Sequence, residues 1–504
     1  MPSWLQRERS TKPATTKVVL AALLTTIFVA GCGRAPAPQF TPSEATLTLM
    51  PEVRDGITVD IEGGEGVRFD GVSDLLTKHF GTPTDPTVWT ALPIDFGGEP
   101  ASVTKVISPS AELAAKADQD EVAAGEITIA VEIADGKSVK SLPAGSQAAW
   151  TKGKYKGQSH RVTAFDPKSG AVTLSGEFDE GLPKPGDKLL LAAGGTLTRG
   201  QELYARHCIH CHGPGGAGDG PTARYLDPKP RDYRPGKYKF TSTAGPEKAS
   251  SADLLDTLKR GIPGTSMPAF RMLSNDDLHA LVEYVRWLSI RGDYEYQLAS
   301  TVAAFDFTRE AYDERIEDGD EREEILEDVK SFLEDVFPDE AEIIADGIIE
   351  SWEEADDPSA IVVPTVSRVE DTPESRLRGR ALYLSEKAKC ATCHGTYGKG
   401  DGPQAFAYQP DSRTKQNYPL PGLYDDWHNP IRPRDLTQGV YRGGRRPIDV
   451  FRRIHAGIKG TPMPRFAGSL TEEEIWDIVN YVLHAPYEPV PEPGRGTSVA
   501  SSGH

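Results

Sequence analysis

Hydrophobic residues recur at helical spacing in two matching stretches of the chain, near residues 275–290 and 472–484. The two apolar stripes consist of Leu278, Leu281, Val285 and Leu288, and of Ile475, Ile478, Val482 and Leu483. Spacings of three and four residues predict an amphipathic helix in each stretch. Ser274 and Thr471 stand at the expected N-cap positions, with an acidic residue three positions later. Both helices are therefore expected to pack one face on a core.

A different pattern appears between residues 33 and 195. Residues 75–80 have a helical pattern, whereas four short segments alternate or run apolar as strands do. These segments are residues 126–133, 160–165, 171–175 and 188–191. Asp-Pro-Lys-Ser-Gly at 166–170 predicts a turn between two of the strands. We therefore expect an N-terminal module that is β-rich or α+β.

The charge of the chain is concentrated in one segment. The 504 residues carry a net charge of −19. Residues 301–360 contain 23 Asp and Glu against 4 Lys and Arg, so the rest of the chain is neutral. Apolar stripes predict two helices here, separated at Pro338. The segment is either a solvated helical connector or a docking site for a basic partner. Nothing in the charge pattern indicates nucleic-acid binding.

The first 32 residues have the features of an export signal. Basic residues precede an apolar run at 18–30, which is too short to anchor the chain in a bilayer. Gly31 and Cys32 follow the run, and residues 29–32 resemble a bacterial lipobox, in which this cysteine carries lipid. The alternative is an ordinary secretory signal with an incidental cysteine. We expect the protein on the extracytoplasmic or periplasmic side, attached to a membrane by lipid.

The other four cysteines form two C-x-x-C-H motifs. Cys208 and Cys211 precede His212, and Cys390 and Cys393 precede His394. In this motif the cysteines form thioethers with one haem, and the histidine binds its iron. A redox dithiol needs no adjoining histidine. A four-cysteine zinc site would have to join two distant pairs. The motifs predict two covalently attached haem c groups.

The motifs lie in an internal repeat. Gly-Asp-Gly-Pro follows each at 218–221 and 400–403. A Gly-Ile-x-Gly-Thr-x-Met-Pro segment follows later in each copy and contains Met267 or Met463. A methionine thioether is a common second ligand of haem iron, although methionine also fills cores. Met272 is the one competitor in the first copy. We predict that His212 and Met267 bind one iron, and that His394 and Met463 bind the other.

Each copy also contains a Pro-Arg-Asp segment, at an offset of 203 residues. Its arginine is Arg231 in the first copy and Arg434 in the second. Arginine binds carboxylates with two parallel hydrogen bonds, so either residue could contact haem propionates. The alternative is a surface ion pair with the adjacent aspartate.

Residues 196–292 and 371–489 resemble class I cytochrome c domains, as found in bacterial dihaem lipoprotein cytochromes and the dihaem subunit of cbb3-type oxidases. The resemblance implies a mainly α fold around each haem, His/Met ligation and one-electron transfer. The second copy departs from it by an insertion near 411–429. We expect the order of signal (1–32), N-terminal module (33–195), first cytochrome domain, acidic helical connector (293–370), second cytochrome domain and disordered tail (490–504).

These features predict a membrane-tethered dihaem cytochrome c that carries single electrons between redox proteins in a respiratory chain. No substrate-binding position remains if each iron has two protein ligands. Two alternatives stay open. One is an enzyme of the dihaem peroxidase kind, which would need one iron to lose its methionine. The other is a structural haem subunit of an oxidase or quinol-oxidising complex.

Overall fold

The computed structural model describes residues 38–49, 57–59, 67–69, 71–110, 123–134, 139, 141–142, 146–178, 181–245, 247–305 and 309–488. The predicted export signal with Cys32 and the predicted tail lie outside these residues. Within the described ranges, no helix is both long and apolar enough to cross a membrane.

The N-terminal module is built around a closed six-stranded antiparallel barrel, with strand order β10-β5-β6-β9-β8-β7. Its strands are β5 (Glu99–Pro109), β6 (Ala123–Ile133), β7 (Gln147–Lys152), β8 (Ser159–Asp166), β9 (Ala171–Phe178) and β10 (Lys188–Ala193). The four predicted strands are confirmed as β6, β8, β9 and β10. Closure removes free sheet edges, and alternate side chains fill the interior. Fully buried examples are Ile127, Ile129, Trp150, Leu174 and Leu191.

Short elements precede the barrel. They are α1 (Glu44–Leu49), β1 (Ile57–Val59), β2 (Val67–Phe69), α2 (Gly71–Phe80), β3 (Gly81–Thr82) and β4 (Asp85–Pro86). The predicted helix at 75–80 is confirmed as part of α2. Phe80 at its end is fully buried, and its ring lies 5.7 Å from the rings of both Trp89 and Trp287. The N-terminal module therefore shares a hydrophobic core with the helices that follow.

The first helical domain contains α3 (Gly195–His207), α4 (Ile209–His212), α5 (Ser251–Arg260) and α6 (Asn275–Phe305). α3 crosses α6 at Gly200, where an added Cβ would collide with the carbonyl oxygen of Ala280. Glycine is required at this crossing because the two backbones touch. Ser274 accepts a hydrogen bond from the Asp277 amide at 3.1 Å, which confirms the predicted N-cap of α6.

The second helical domain repeats this arrangement. Its helices are α10 (Pro373–Leu384), α11 (Ala391–His394), α12 (Pro447–His455) and α13 (Glu472–His484). α10 crosses α13 at Gly379, whose added Cβ would collide with the Asp477 carbonyl. Thr471 and Glu474 form the predicted capping box. Between α11 and α12, strands β11 (Leu423–Tyr424) and β12 (Pro430–Ile431) form a hairpin within the insertion.

The acidic segment contains α7 (Arg309–Asp318), α8 (Arg322–Ser331), a π-helical turn (Phe332–Val336) and α9 (Phe337–Asp356). The predicted separation at Pro338 is wrong, because this proline lies in the first turn of α9, where its missing N–H costs nothing. The break in helical geometry is the π turn. α6 itself continues past residue 292, where we placed the end of the first cytochrome domain.

The acidic helices pack on the first helical domain through their apolar faces. Trp352 and Ile348 of α9 are buried in the same core cluster as Trp287 and Tyr294 of α6. The Arg286 guanidinium donates to the Asp356 carboxylate at 2.9 Å. The chain thus combines two helical domains with an N-terminal β-barrel, so the predicted mainly α class describes only part of it.

Candidate haem-binding sites

Each C-x-x-C-H motif forms one short helical turn. The His212 amide donates to the Cys208 carbonyl at 2.9 Å, and the His394 amide donates to the Cys390 carbonyl at the same distance. Residues three or four apart share a face of a helical turn, so both thiols and the imidazole can approach one cofactor. All four cysteines are free of disulfides.

Hydrogen bonds to neighbouring carbonyls give the two histidines the same tautomer. The Nδ1 atom of His212 lies 3.1 Å from the Arg231 carbonyl, and that of His394 lies 3.1 Å from the Arg434 carbonyl. A carbonyl only accepts, so Nδ1 donates the proton and Nε2 keeps a free lone pair. Such a hydrogen bond orients metal-binding histidines and sets their tautomer. Burial lowers the pKa of both rings, which favours the neutral form that binds metal.

The two predicted methionines occupy identical turns. The Ile262 amide donates to the Met267 carbonyl at 3.1 Å, and the Ile458 amide donates to the Met463 carbonyl at 3.2 Å. Each turn begins at a glycine with positive φ, whose added Cβ would lie 2.7 or 2.8 Å from that carbonyl. Only glycine fits there. Both methionine loops are therefore held in a defined shape.

Met272, the competitor for the first iron, is 96% exposed. Met267 packs against the core of the first domain instead. This difference favours Met267 over Met272 as the candidate ligand of the first iron.

The chemistry of the two sites fits haem c. Burial raises the pKa of the Cys208 and Cys390 thiols to about 12, which is consistent with attachment cysteines withdrawn from water. The Nε atoms of Arg442 and Arg453 are buried without a hydrogen-bond partner. A buried donor without a partner is costly, and the carboxylates of a bound haem would offset this cost where they reached either atom. Within the described ranges, no cluster of three or more His, Cys, Asp or Glu could hold a metal ion alone.

Neither predicted arginine pairs with its neighbouring aspartate. Asp232 accepts from Arg234 at 2.8 Å, and Asp435 caps the short 3-10 helix that follows it. Among the ion pairs of the described residues, Arg231 pairs with Asp425, and none joins either arginine to its adjacent aspartate. The Arg231 side chain is only 17% exposed, and this burial lowers the pKa of its guanidinium to about 10.

The side chains of both arginines reach the opposite domain. The Arg231 guanidinium lies 3.5 Å from the centre of the Trp427 ring and 3.8 Å from the Asp425 carboxylate. Arg434 lies against Gly264, where an added Cβ would be 3.1 Å from its Nη2 atom. The two sites are thus in contact through residues that follow each attachment motif.

Further contacts join the domains around these arginines. Lys239 pairs with Asp425 at 3.0 Å, and Lys459 donates to Thr243 at 2.8 Å. Arg453 donates to the Thr241 carbonyl at 2.6 Å. Sequence reasoning missed this interface. The one available signal was the insertion itself, whose Asp425-Asp426-Trp427 string has no equivalent in the first copy.

Comparison with known families identifies the two helical units. The cytochrome c family model matches residues 197–289 and 377–486. These two segments are cytochrome c domains, and such domains transfer electrons through covalently bound haem.

One solved structure with detectable similarity is a reducing HAO-like protein complex of Kuenenia stuttgartiensis. The two chains are 26% identical over the matched region, which spans 57% of this chain and 95% of the other chain. The TM-score is 0.39. A comparison with curated protein sequences gave no significant match.

Proposed function

We propose that this protein is an extracytoplasmic dihaem cytochrome c that carries single electrons between other redox proteins of a respiratory chain. The observation that supports this most is the repetition, in both domains, of two free thiols beside a histidine with a free Nε2, together with a methionine held in a fixed turn. Haem bound there would supply a reversible one-electron change at iron. His212 and Met267 would bind one iron, and His394 and Met463 would bind the other, so that water is excluded from both.

The backbone restricts movement of the proposed ligands. The Arg231 and Arg434 carbonyls hold the two imidazoles, and the Thr265 and Thr461 hydroxyls accept from the Met267 and Met463 amides at 3.1 and 3.3 Å. Small structural change on gain or loss of one electron keeps transfer fast. Rigid ligands therefore suit a carrier better than an enzyme that must open a position for substrate.

Membrane attachment through lipid on Cys32 belongs to the same proposal. Its support is the sequence alone: an apolar run at 18–30 followed by small residues and the cysteine. Haem c attachment outside the cytoplasm is consistent with such an export signal.

Exposure of the reduced protein to carbon monoxide tests the carrier function against the peroxidase alternative. If methionine closes both irons, the visible spectrum will not change when the gas is added. The Met267→Leu variant serves as the positive control, because its first iron becomes open and should bind the gas. A wild-type spectrum in which one haem shifts would show an open iron and would favour the enzyme.

We further propose that α9 presents the docking surface for a basic redox partner. Glu342, Asp346, Glu350 and Glu353 lie on its exposed face, at helical spacing. The opposite face is buried against α6. The segment is therefore a folded part of the first domain with one strongly acidic side, which can steer a cationic protein.

Neutralising these four side chains, with Gln for Glu and Asn for Asp, tests the docking surface. We expect slower electron transfer to a basic cytochrome at low salt and a weaker dependence on ionic strength, since the Debye length is about 10 Å at 0.1 M. The matched control neutralises Asp74, Glu126, Glu132 and Glu177, four exposed acids of the N-terminal module. Equal effects in both variants would show that only net charge matters and would contradict the docking surface.

A further inference from the structure

Two series of touching residues, here called chains of contact, cross the domain interface. In each, the carbonyl of one arginine holds the histidine of its own domain, while the side chain of that arginine reaches the methionine loop of the other domain. Arg434 does so directly, since its guanidinium lies against Gly264, three residues before Met267. This chain of contact joins His394 to the Met267 loop.

The second chain of contact contains an additional residue, Trp427. Arg231 holds His212 through its carbonyl and stacks on the Trp427 ring at 3.5 Å. The edge of that ring, at Cζ3 and Cη2, fills the space beside Gly460, where any added Cβ would collide with it. Gly460 lies three residues before Met463. Trp427 thus lies between Arg231, which holds His212, and the loop that contains Met463.

The position of Trp427 is fixed from several sides. The Asp425 carboxylate accepts from the Trp427 amide at 3.2 Å and pairs with Lys239 of the first domain. The Asp426 amide donates to the Gly460 carbonyl at 3.1 Å. The indole Nε1 is buried and has no hydrogen-bond partner within the described residues. A fixed aromatic ring that touches both domains is suited to electronic contact between them.

We propose that Trp427 is the bridging residue for electron exchange between the two haem sites of one chain. The proposal rests on the function proposed above. Exchange moves one electron from a ferrous site to a ferric site. No bond forms or breaks, and no proton is transferred. The insertion in the second domain therefore serves to couple the two sites, as well as to hold the domains together.

The test uses the full chain with both haems, half reduced by dithionite. Nuclear magnetic resonance of the haem methyl groups measures how fast oxidised and reduced signals exchange. Exchange between separate chains slows on dilution, so the rate extrapolated to zero protein concentration is the rate of exchange within one chain. We expect Trp427→Leu to lose most of this intrachain exchange and Trp427→Phe to retain it, because phenylalanine keeps an aromatic ring in contact. Tyr424→Phe, in the same loop, should leave the exchange unchanged.

Reduction midpoints of both haems are measured in every variant, so that a change in driving force is recognised. A Trp427→Leu chain that exchanges at the wild-type rate would overturn the proposal. The proposal would also be overturned if Arg434→Met lost exchange while Trp427→Leu kept it. The electron would then pass through the contact between Arg434 and the Met267 loop. Asp425→Asn weakens the ion pairs with Arg231 and Lys239 across the interface. It keeps Trp427 and a side-chain oxygen that can still accept from the Trp427 amide. An equal loss of exchange in that variant would assign the effect to domain docking and overturn a bridging role.

These outcomes are separate from failure of the proposed function. A chain with one redox-active haem would contradict the dihaem carrier itself. Two redox-active haems with an unaffected Trp427→Leu variant would contradict only the bridge.

Discussion

The Met463→Leu variant should lose the sulfur-to-iron charge-transfer band of one haem, so that the band of the oxidised protein falls to about half its intensity. Leucine keeps the volume of the side chain but has no sulfur to bind iron. Because methionine raises the haem potential, the midpoint of the second haem should also fall. Absorption spectra and a redox titration measure both effects.

The first site provides the control for this variant. Met267 lies in an equivalent turn in the other domain, so its contribution to the band should persist. Met267→Leu should give the mirror result, and the double variant should have no band. A band of full intensity in Met463→Leu would show that another residue binds the second iron.

Replacing both Cys390 and Cys393 with serine should reduce the covalent haem content from two groups to one per chain. Serine forms no thioether, and the first motif, Cys208 to His212, is unchanged. Mass spectrometry of the denatured chain measures the loss directly. The reciprocal serine pair at Cys208 and Cys211 should likewise leave one haem, on the second domain.

Serine pairs that lose both haems would show that the domains cannot mature independently. Serine pairs that retain two haems would show that a motif does not attach haem at all. In the expected case, each domain forms its own site, consistent with separate α3–α6 and α10–α13 crossings at Gly200 and Gly379.

Features that depend on neighbouring residues were predictable from the sequence. The capping residues Ser274 and Thr471 and four of the six barrel strands follow from short patterns that act locally, whereas β5 and β7 were not predicted. The matching turns around Met267 and Met463 also follow from the repeat. In these places a few adjacent residues determine the backbone, so periodicity and motif are sufficient.

Features that depend on distant pairing were not predictable. β10 closes the barrel by pairing with both β5 and β7, and no pattern within a strand specifies its partners. The reach of Arg231 to Trp427 depends on how two folded domains dock. The prediction for Pro338 failed for a local reason, because proline can end one helix or begin another.

The same distinction applies to the acidic segment. Its charge was evident from composition, but its burial of Trp352 against α6 was not. An apolar stripe shows that a helix has a packing face, and it does not show which surface that face covers. The structure therefore changes the interpretation from a connector to a part of the first domain that has an acidic outer side.

The most direct test of the central claim is the haem content of the intact protein. The pyridine haemochrome assay, set against protein mass from amino-acid analysis, gives the number of haems per chain. Two C-x-x-C-H sites with free thiols predict two haems that stay with the protein in acidified organic solvent. One haem per chain, or haem that the solvent extracts, would contradict the claim that both domains are covalent haem sites.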